Sequence, residues 1–437
     1  MMSQSHQRSL HGCAALLMLV LLMSCIGQHD NPSGLIPCDG TPGVICTVMG
    51  DGTAGLGEDG VEPLAVSLYL PQDLTIGPDG KVYVMDWNNH RVRTIQDGVV
   101  VTIIGTGELG DAPEGPALKA SFNHPTHVAF APDGTLIVSA WHNSKVMSYD
   151  FDTKKLTLIV GDGERDYAGD GGPAKDAVLD LPVATAFDKK GRMLIMDQAN
   201  QRIRRVDKNG IINTVVGPDK DFLPEPEGYT RVCDADNVCK LCLPAVADDP
   251  ECPKQKAQGF AGDGGPGSDV LMYQPYSQSA PPAGRMEMGP DDILYFCDTG
   301  NHRVRAFYPD GHVDTVAGSA PKTFDRTFPG DYGGDGGKAI KALLNNPIDV
   351  AVDAEGRLFI ADTGNSCVRV VDTNGKIYTV AGRCGERGDT GDGGPATEAR
   401  INRPYGVALD HDGNLYIADT HNHRIRMVPS PLSVLDK

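Results

Sequence analysis

One phrase occurs six times along the chain and constrains the fold more than any other feature. In each copy an apolar run ends in Asp or Ala, a polar turn centred on Asn follows, and a β-prone run begins with a basic residue nearby. The copies are MDWNNHRVRTI (85–95), SAWHNSKVMSY (139–149), MDQANQRIRRV (196–206), CDTGNHRVRAF (297–307), ADTGNSCVRVV (361–371) and ADTHNHRIRMV (418–428). Two short strands around a polar turn indicate a β-hairpin, and its repetition indicates an array of equal units.

The spacing of the hairpins and their flanking strands define the repeat. The residues that end the first runs are Asp86, Ala140, Asp197, Asp298, Asp362 and Asp419, at intervals of 54, 57, 101, 64 and 57 residues. The long interval predicts an insertion of about 45 residues into a unit of ordinary blade length. A Pro and an apolar run precede each hairpin, as at 349–352, and a β-branched run ending in Gly follows, as at 378–382. Four strands per unit and six units predict an all-β, six-bladed β-propeller.

The turn tripeptides and the connecting segments carry a family resemblance. Asn89-His90-Arg91, Asn301-His302-Arg303 and Asn422-His423-Arg424 share one tripeptide, and AGDGGPAKDA (168–177) is repeated with variations at 261–270, 333–342 and 390–399. These motifs resemble the NHL-repeat family, and in particular bacterial, teneurin-like NHL propellers, over about residues 43–428. The resemblance implies the propeller fold but not a function, because one fold hosts many functions.

The ends of the repeat region predict how the ring closes. Residues 44–50 resemble the fourth strand of a blade without its first three strands, whereas the last repeat stops after its third strand at Val428. We therefore expect the N-terminal strand to pair into the last blade, which removes the exposed sheet edges. The predicted blades are 71–104, 125–160, 182–216, 281–317, 347–381 and 404–428 with 43–49.

The N-terminal residues predict export and a lipid anchor. Arg8 and His11 precede an apolar run at 14–23, which is about half the length of a bilayer-spanning helix and is typical of a signal peptide. Leu22-Met23-Ser24-Cys25 resembles the bacterial lipobox, which implies cleavage after residue 24 and a lipid on Cys25. We assign 1–24 to the signal peptide, 25–42 to a flexible tether, 43–428 to the propeller and 429–437 to a C-terminal tail.

The net charge and the predicted export limit the classes of partner that the protein can have. The formal charge of −19 excludes the basic surface that nucleic acid binding requires. The resemblance to a lipobox predicts a location in the bacterial cell envelope, with the lipid at the outer membrane. We expect a monomer whose propeller lies in the periplasm or at the surface. The sequence identifies neither a protein partner nor a glycan.

The cysteines of an exported protein are read first as disulfides. The insertion, about 218–275, contains four that allow three pairings, and their spacing is a poor match to zinc sites. Two further pairs are predicted outside it, and a buried free thiol is expected at Cys297. The candidates are Cys233, Cys239, Cys242 and Cys252 in the insertion, Cys38 with Cys46, and Cys367 with Cys384.

Two recurring carboxylates are read as structural. Asp and Arg flank each hairpin turn, and we expect the Arg to fork onto the Asp or onto the next blade. The pairs are Asp86/Arg91, Asp197/Arg202, Asp298/Arg303 and Asp419/Arg424. Each Gly-Asp-Gly-Gly connector carries one Asp, expected to cap the short helical turn that follows, with calcium binding as the alternative. These residues are Asp170, Asp263, Asp335 and Asp392.

Departures from the repeat point to a surface on blades 1 and 2. Blade 2 has Ala140 in place of Asp and Met147 in place of a basic residue. Trp87 and Trp141 occupy equivalent turn positions beside His142, and they are the two tryptophans of the chain. Exposed aromatic residues often mark a surface for a sugar or a protein, whereas the alternative is that they cover a connector.

The residues that flank the prolines of the inner strands predict the lining of the channel mouth, on the face that carries the connectors. They are Asp73, His124, His127, Tyr276, Asp349, Arg403 and Tyr405. Convergence of such side chains is typical of a polar ligand or metal site. Related six-bladed propellers include lyases and lactonases with a metal in this place, and Asp73, His124 and His127 are the weak candidates here for zinc or calcium.

Three functions remain open at this point. The first is a binding scaffold for a protein or glycan without turnover, which the sparse catalytic signal favours. The second is a metal-dependent lyase or lactonase at the channel mouth, which predicts about one bound ion for each chain. The third is a structural spacer that binds nothing.

Overall fold

The chain folds as a six-bladed β-propeller, as the repeats predict. The computed structural model describes residues 38–218, 230–233, 239–242, 260–276, 280–319 and 330–436. Six sheets of four antiparallel strands follow one another around a channel, and blades 2 and 4 each gain a short fifth strand from the preceding connector, Gly115–Pro116 and Gly265–Pro266. Cys25 lies outside the described residues.

The strands are given from the channel outward. Blade 1 has Asp73–Ile76, Val82–Asp86, Arg91–Gln96 and Val99–Ile104; blade 2 has His127–Phe130, Leu136–Ala140, Lys145–Asp150 and Lys155–Val160; blade 3 has Pro182–Phe187, Met193–Asp197, Arg202–Val206 and Ile212–Val216. Blade 4 has Met286–Met288, Leu294–Asp298, Arg303–Phe307 and His312–Ala317; blade 5 has Asp349–Val352, Leu358–Asp362, Cys367–Val371 and Ile377–Ala381; blade 6 has Gly406–Leu409, Leu415–Asp419, Arg424–Val428 and Cys46–Met49.

The helical segments of the described residues are short 3-10 turns. One set forms the turn between the second and third strands of each blade: Trp87–Asn89, Trp141–Asn143, Gln198–Asn200, Thr299–Asn301, Thr363–Asn365 and Thr420–Asn422. A second set lies in the connectors, at Pro63–Ala65, Ala117–Lys119, Ala174–Asp176, Gly267–Asp269, Ala339–Lys341 and Ala396–Glu398, and Pro431–Asp436 follows the last blade. Across the described ranges, no helix has the length and apolarity needed to cross a membrane.

Ring closure by the N-terminal strand is confirmed. Cys46 pairs with Met427 and Thr47 with Arg426, so the first strand of the chain is the outer strand of the last blade. The predicted disulfide between Cys38 and Cys46 is present and ties the preceding segment to this strand. Closure satisfies the edge of the third strand of blade 6, which would otherwise leave its backbone groups unpaired.

The remaining cysteines divide between observed and undescribed positions. Cys367 and Cys384 form the second predicted disulfide, and Cys297 is a buried free thiol. Within the insertion, the structure describes the backbone of a two-stranded hairpin, Thr230–Cys233 with Cys239–Cys242. Cys252 lies outside the described residues, so the pairing of the four insertion cysteines stays a prediction.

The hydrophobic core lies between the blades. Tyr83 and Met85 of blade 1 pack in one buried cluster with Leu136 and Val138 of blade 2, and similar clusters join the other blades. Because each sheet is covered on both faces, its second strand is apolar throughout instead of alternating. Burial of these side chains contributes about 25 cal/mol for each Å² of apolar surface removed from water.

A buried ion chain repeats in five blades and holds each connector to its own blade. An Arg in the third strand lies between the Asp that ends the second strand and an Asp in the connector, as Arg204 does with Asp197 at 3.6 Å and Asp170 at 2.7 Å. The connector Asp also accepts a hydrogen bond from the fourth strand, as Asp170 does from the Thr214 backbone. The corresponding triplets are Asp59–Arg93–Asp86, Asp263–Arg305–Asp298, Asp335–Arg369–Asp362 and Asp392–Arg426–Asp419.

The Asp that ends each second strand also organises the turn. In blade 3, Oδ1 of Asp197 accepts the backbone N–H of Asp180, and Oδ2 accepts Nδ2 of Asn200 at 2.7 Å. The same Asn side chain donates to a connector carbonyl, that of Asp166. One carboxylate thus joins the connector, the turn and the third strand, which explains why Asp and Asn recur together.

Two of the sequence predictions about these charges are wrong. The partner of the turn Asp is the Arg seven residues later, not the Arg five residues later; Arg91, for example, donates to the carbonyl of Thr106. The connector Asp residues do not cap the 3-10 turns that follow them, which have no side-chain cap in the described connectors. The Arg seven residues after the turn Asp forms the ion pair because its side chain points into the blade, where the turn Asp and the connector Asp both lie.

Blade 2 replaces the ion chain with apolar side chains. Ala140 stands where the other blades have Asp, and Met147 stands where they have the buried Arg; both are buried. Asn143 replaces one hydrogen bond of the missing Asp, because its side-chain oxygen accepts the backbone N–H of Asn123. Loss of both charges together is consistent with the high cost of leaving one member of a buried pair alone.

Blade 2 supplies a matched test of the ion chain in blade 5. Arg369→Met alone should destabilise the protein by about 3–5 kcal/mol, because it leaves Asp362 buried without its cation. The double variant Asp362→Ala/Arg369→Met should cost less than the sum of the two single variants by about 1–3 kcal/mol in urea unfolding. Additive effects would show that the two side chains are not coupled.

Candidate functional site

Six equivalent positions, one for each blade, form a ring around the channel. Each lies opposite the second-strand residue that directly precedes the strand-ending Asp or Ala, and the backbone pairing fixes the equivalence. The ring consists of Asp73, His127, Ala184, Arg285, Asp349 and Gly406. It combines two carboxylates, one guanidinium, one imidazole and two small residues, so this repeat position alone differs in nearly every blade.

Arg285 closes the ring from blade 4. Its side chain is fully buried and donates from Nη1 to the carbonyls of Gln72 (2.7 Å) and Tyr405 (2.9 Å) and from Nη2 to that of Thr126 (2.7 Å). Nη1 also lies 3.2 Å from Oδ1 of Asp73. These partners belong to blades 1, 2 and 6, so one side chain crosses the channel and joins blade 4 to the opposite half of the ring.

The small residues of the ring make room for this crossing. A Cβ atom on Gly406 would lie 2.9 Å from the carbonyl oxygen of Gln72 and 3.0 Å from Cα of Asp73. Blades 6 and 1 therefore approach each other at the channel as closely as backbone permits. That approach places the carbonyls of Gln72 and Tyr405 together, where one guanidinium nitrogen reaches both.

His127 is held at both ring nitrogens. Nδ1 lies 2.7 Å from Oδ2 of Asp73, and Nε2 lies 3.0 Å from the carbonyl oxygen of Thr185 in blade 3. Burial lowers the pKa of His127, but the charge of Asp73 outweighs it, so the pKa is raised. Burial opposes ionisation of Asp73, yet Arg285 and then His127 hold its pKa below the ordinary value. The three groups form one charged unit in which an imidazolium can donate to both oxygen partners.

The two other carboxylates of the channel are easier to protonate. Burial, with a contribution from Asp73, raises the pKa of Asp349 to about 6 although Arg285 lies 3.8 Å away. Glu287 belongs to the next level of the channel, where it is exposed to the lumen but surrounded by the walls of the ring. This enclosure and the charge of Asp349 raise its pKa to about 7. Both carboxyls are therefore easier to protonate than Asp73 is.

These groups line a cavity of about 200 Å³. Its walls include Ile76, Val352 and Leu409, the last residues of three inner strands, so the cavity extends away from the connectors. Arg285 blocks the connector end of the channel. The polar channel residues are therefore reached from the face opposite the connectors, not from the connector face as predicted from the sequence.

The structure divides the predicted mouth residues into separate environments. Asp73, His127 and Asp349 come together in the channel, and Tyr405 contributes its carbonyl there. His124 packs against Trp87, and Tyr276 packs on the apolar cluster between blades 3 and 4. Arg403 has a positive φ of 48° and donates its backbone N–H to Ser366, a contact between blades 5 and 6.

Arg285 and Glu287 were missed from the sequence, although a signal exists. The inner strand of blade 4 has no Pro directly before it and follows the long insertion, so it does not align with the other repeats by eye. Once the strands are paired, Glu287 occupies a position where the other blades have Ala or Thr. A carboxylate at a position of small residues is the departure that could have drawn attention to it.

The aromatic residues of blades 1 and 2 form a half-buried cluster. His124 lies at its centre, with ring centroids 4.7 Å from Trp87, 4.7 Å from His90 and 5.2 Å from His142. Trp141 is only 1 % exposed, and its Nε1 donates to Oε1 of Gln198 in blade 3. The prediction of two exposed tryptophans is therefore wrong for Trp141, because a buried Gln in the next blade accepts its only polar hydrogen.

The channel donors do not fit a divalent cation. Among the residues that the structure describes, no three or more His, Cys, Asp or Glu side chains are arranged to hold a metal. Oδ2 of Asp73 already accepts from Val128 and His127, and Oδ1 contacts Arg285. His124, the third predicted ligand, packs in the aromatic cluster. A cation here would also lie beside the Arg285 guanidinium.

Removal of Arg285 tests its role as the centre of the ring. Arg285→Met should lower the free energy of unfolding by about 3–5 kcal/mol, since three buried carbonyls and a buried carboxylate lose their partner. Arg400→Met is the control, because Arg400 pairs with Glu386 at the surface, and it should cost about 1 kcal/mol or less. Equal effects in urea titrations would contradict the proposed role.

His90 makes one contact between blades depend on pH. Its Nδ1 accepts the backbone N–H of His124, and burial together with His124 lowers its pKa from 6.5 to about 4. The unfolded chain thus takes up protons first, so this contribution to stability is complete above about pH 6.5 and is lost as the pH falls towards 4. His90→Gln, which copies Gln201 of blade 3, should remove that part of the pH dependence. Thermal unfolding at pH 7 and pH 5 measures it, and an unchanged wild-type difference in the variant would contradict it.

Comparisons with known proteins agree with the fold. The Teneurin NHL domain matches residues 42–245 and 310–389, which is more than half of the chain, and an NHL repeat matches residues 402–426. Human Teneurin-1 is 28% identical over 419 residues and Teneurin-m of Drosophila melanogaster is 26% identical over 425. The alignments cover 89% and 90% of this chain but only 13% of each relative, so the chain spans a small part of the curated relatives' length.

Solved structures with the same fold are more distant in sequence. A protein of unknown function from Bacteroides thetaiotaomicron has a TM-score of 0.57 and 18% identity, covering 88% of this chain and 75% of its own. An auxiliary nutrient binding protein from the same organism has a TM-score of 0.53 and 13% identity, with the same coverage. At this identity the structures support the architecture alone. The repeats, the ring and the extent of the sequence match together show that this chain belongs to the Teneurin NHL domain family.

Proposed function

We propose that the protein is a cell-envelope lipoprotein, anchored through Cys25, whose propeller binds a protein partner on the connector face of blades 1 and 2. The observation that carries the proposal is that large apolar side chains are exposed in both connectors of this sector. Leu56 is 58% exposed and Leu109 is 61% exposed, each beside the connector glycine whose carbonyl accepts a turn Asn. Exposed apolar residues that are grouped in this way are typical of interaction surfaces.

The neighbouring residues extend the same surface. Tyr69 is 37% exposed, its backbone N–H donates to Asp86, and its carbonyl accepts from Asn88 in the blade 1 turn. Trp87 and His142 are half-buried beside it, and the aromatic cluster holds both turns in place. A rigid support with an apolar, adaptable rim favours a protein over a small polar ligand.

The position of the N-terminal strand supports the orientation. Cys46 pairs near the end of the third strand of blade 6, which is the end farthest from the turn, and the disulfide holds Cys38 beside it. The segment from Cys25 therefore joins blade 6 at the end opposite its turn, where residues 43–45 also pair with the connector residues Gly394 and Ala396. A lipid at Cys25 would then be attached at the side of the propeller opposite the turns that carry Trp87 and His142.

The channel groups support a scaffold more than an enzyme. Both nitrogens of His127 and three donor hydrogens of Arg285 are engaged with the protein itself. A general base must be able to reach a substrate, and these groups are occupied by contacts that hold the ring. The metal-dependent lyase or lactonase considered from the sequence lacks a fitting set of ligands here.

A glycan is the other partner class from the sequence. A solved propeller of the same fold is named an auxiliary nutrient binding protein, which is a reason to include glycans in the test. Glycan binding usually relies on exposed aromatic faces, and Trp141 is buried, so the geometry favours a protein.

The proposal predicts which surface substitutions abolish partner binding. Leu56→Asp/Leu109→Asp should lose the partner recovered by crosslinking from envelope extracts, because it places charges at the centre of an apolar contact. Ile340→Asp is the control, since Ile340 is 51% exposed in the connector between blades 4 and 5. Both variants should melt as the wild type does, and a carbohydrate array tests glycans in parallel. Retention of the partner by the double variant would overturn the assignment of this surface.

A further inference from the structure

A second and larger cavity lies between blades 5 and 6, on the face opposite the connectors. Its volume is about 530 Å³, within the range of small-molecule sites. Phe359, Leu409 and Leu432 form its apolar wall, and the loops between the first and second strands of both blades form its rim. Phe359 is buried, whereas Leu409 and Leu432 are partly buried and pack on the apolar cluster between these blades.

The equivalent space between blades 1 and 2 is filled. Tyr83, at the position of Phe359, packs edge-on against Phe130, at the position of Leu409, with centroids 5.1 Å apart. Phe151, from the turn between the third and fourth strands of blade 2, covers both rings at 5.8 and 6.0 Å. Three aromatic side chains thus occupy the position that is a cavity at blades 5 and 6.

The outer part of this space is built differently in blade 6 than in blade 2. Blade 6 takes its outer strand from the N-terminus, so no turn follows its third strand after Val428. The 3-10 segment Pro431–Asp436 lies there instead and contributes Pro431 and Leu432 to the wall. No residue equivalent to Phe151 is present, and Leu409 is smaller than Phe130. The cavity is therefore open because Leu409 is small and because Pro431 and Leu432 line its edge without filling it.

The rim of the cavity is acidic. Asp353 and Asp410 cap their own loops, Asp353 by accepting the backbone N–H of Arg357 at 2.8 Å. Glu355 pairs with Arg357 at 2.5 Å, so the guanidinium of the rim is already engaged with carboxylates; His411 is the other basic side chain of the lining. Asp412 is exposed, and its carboxylate accepts no hydrogen bond from the residues that the structure describes. The rim thus combines an excess of negative charge with an apolar wall.

We propose that this cavity binds a small amphipathic cation, a molecule with a flat apolar body and one protonated amine. The apolar body would occupy the space that Phe130 and Phe151 fill in blade 2, against Phe359 and Leu409. The ammonium group would lie at the rim, near Asp412. Charge complementarity selects a cation over an anion of the same shape, and the volume selects a small molecule.

The test uses tryptamine and indole-3-propionate, which share a ring and a chain length but carry opposite charges. Isothermal titration of the purified propeller should give one saturable site for tryptamine and at least about ten-fold weaker binding of the anion, because attraction at the rim becomes repulsion. Leu409→Phe, which copies blade 2, should abolish tryptamine binding without lowering the melting temperature.

Asp412→Asn separates charge from shape. It should weaken tryptamine binding about three-fold, as expected for one exposed ionic contact. The affinity for indole-3-propionate should not fall. Equal affinity for both probes, tryptamine binding that survives Leu409→Phe, or no saturable tryptamine site in the wild type would each overturn the proposal.

Discussion

The contact on which the ring depends is the reach of Arg285 across the channel. A propeller buries apolar surface between neighbouring blades, but that burial is non-directional and does not by itself fix how many blades meet at the axis. Arg285 adds direction, because its hydrogen bonds go to carbonyls of blades 1, 2 and 6. Gly406 provides the backbone proximity that brings two of these carbonyls within reach of one nitrogen. The cost of burying the guanidinium is offset only when all its partners are in place, so the bond favours the closed ring.

Further from the axis, a buried Arg with several partners holds the connector in five of the six blades. Each buried Arg of a third strand links a strand-ending Asp to a connector Asp. Each connector is therefore fixed to the blade that comes after it in the chain. These connectors are rich in glycine and lose much conformational entropy when they are ordered, and the ion chains help to offset that cost. Blade 2 shows that apolar packing is an alternative, with Ala140 and Met147 in the two places. The ion chain therefore specifies geometry more than it adds stability.

Repetition made the architecture predictable, and departures from repetition made the site hard to predict. Six copies of the hairpin fix the strands, because each copy gives independent support for the same assignment. The recurrence of Asp and Arg was visible, but sequence spacing does not reveal which of two basic residues points into the blade. Arg285 was missed because a long insertion displaces the motif that aligns its strand. Burial of Trp141 depends on Gln198, a residue of the next blade 57 positions away, which no local pattern connects to it.

Closure of the ring by the first strand also sets the order in which the chain can be completed. Cys46 contacts Met427 across 381 residues, so the earliest strand to be synthesised acquires its partner only when nearly all of the chain is present. Contacts of such large separation form slowly, and until they form the N-terminal strand is an unpaired edge. Nascent molecules are thus vulnerable to aggregation for as long as blade 6 is missing. Covering that strand until the last blade has emerged would protect this edge from pairing with other chains.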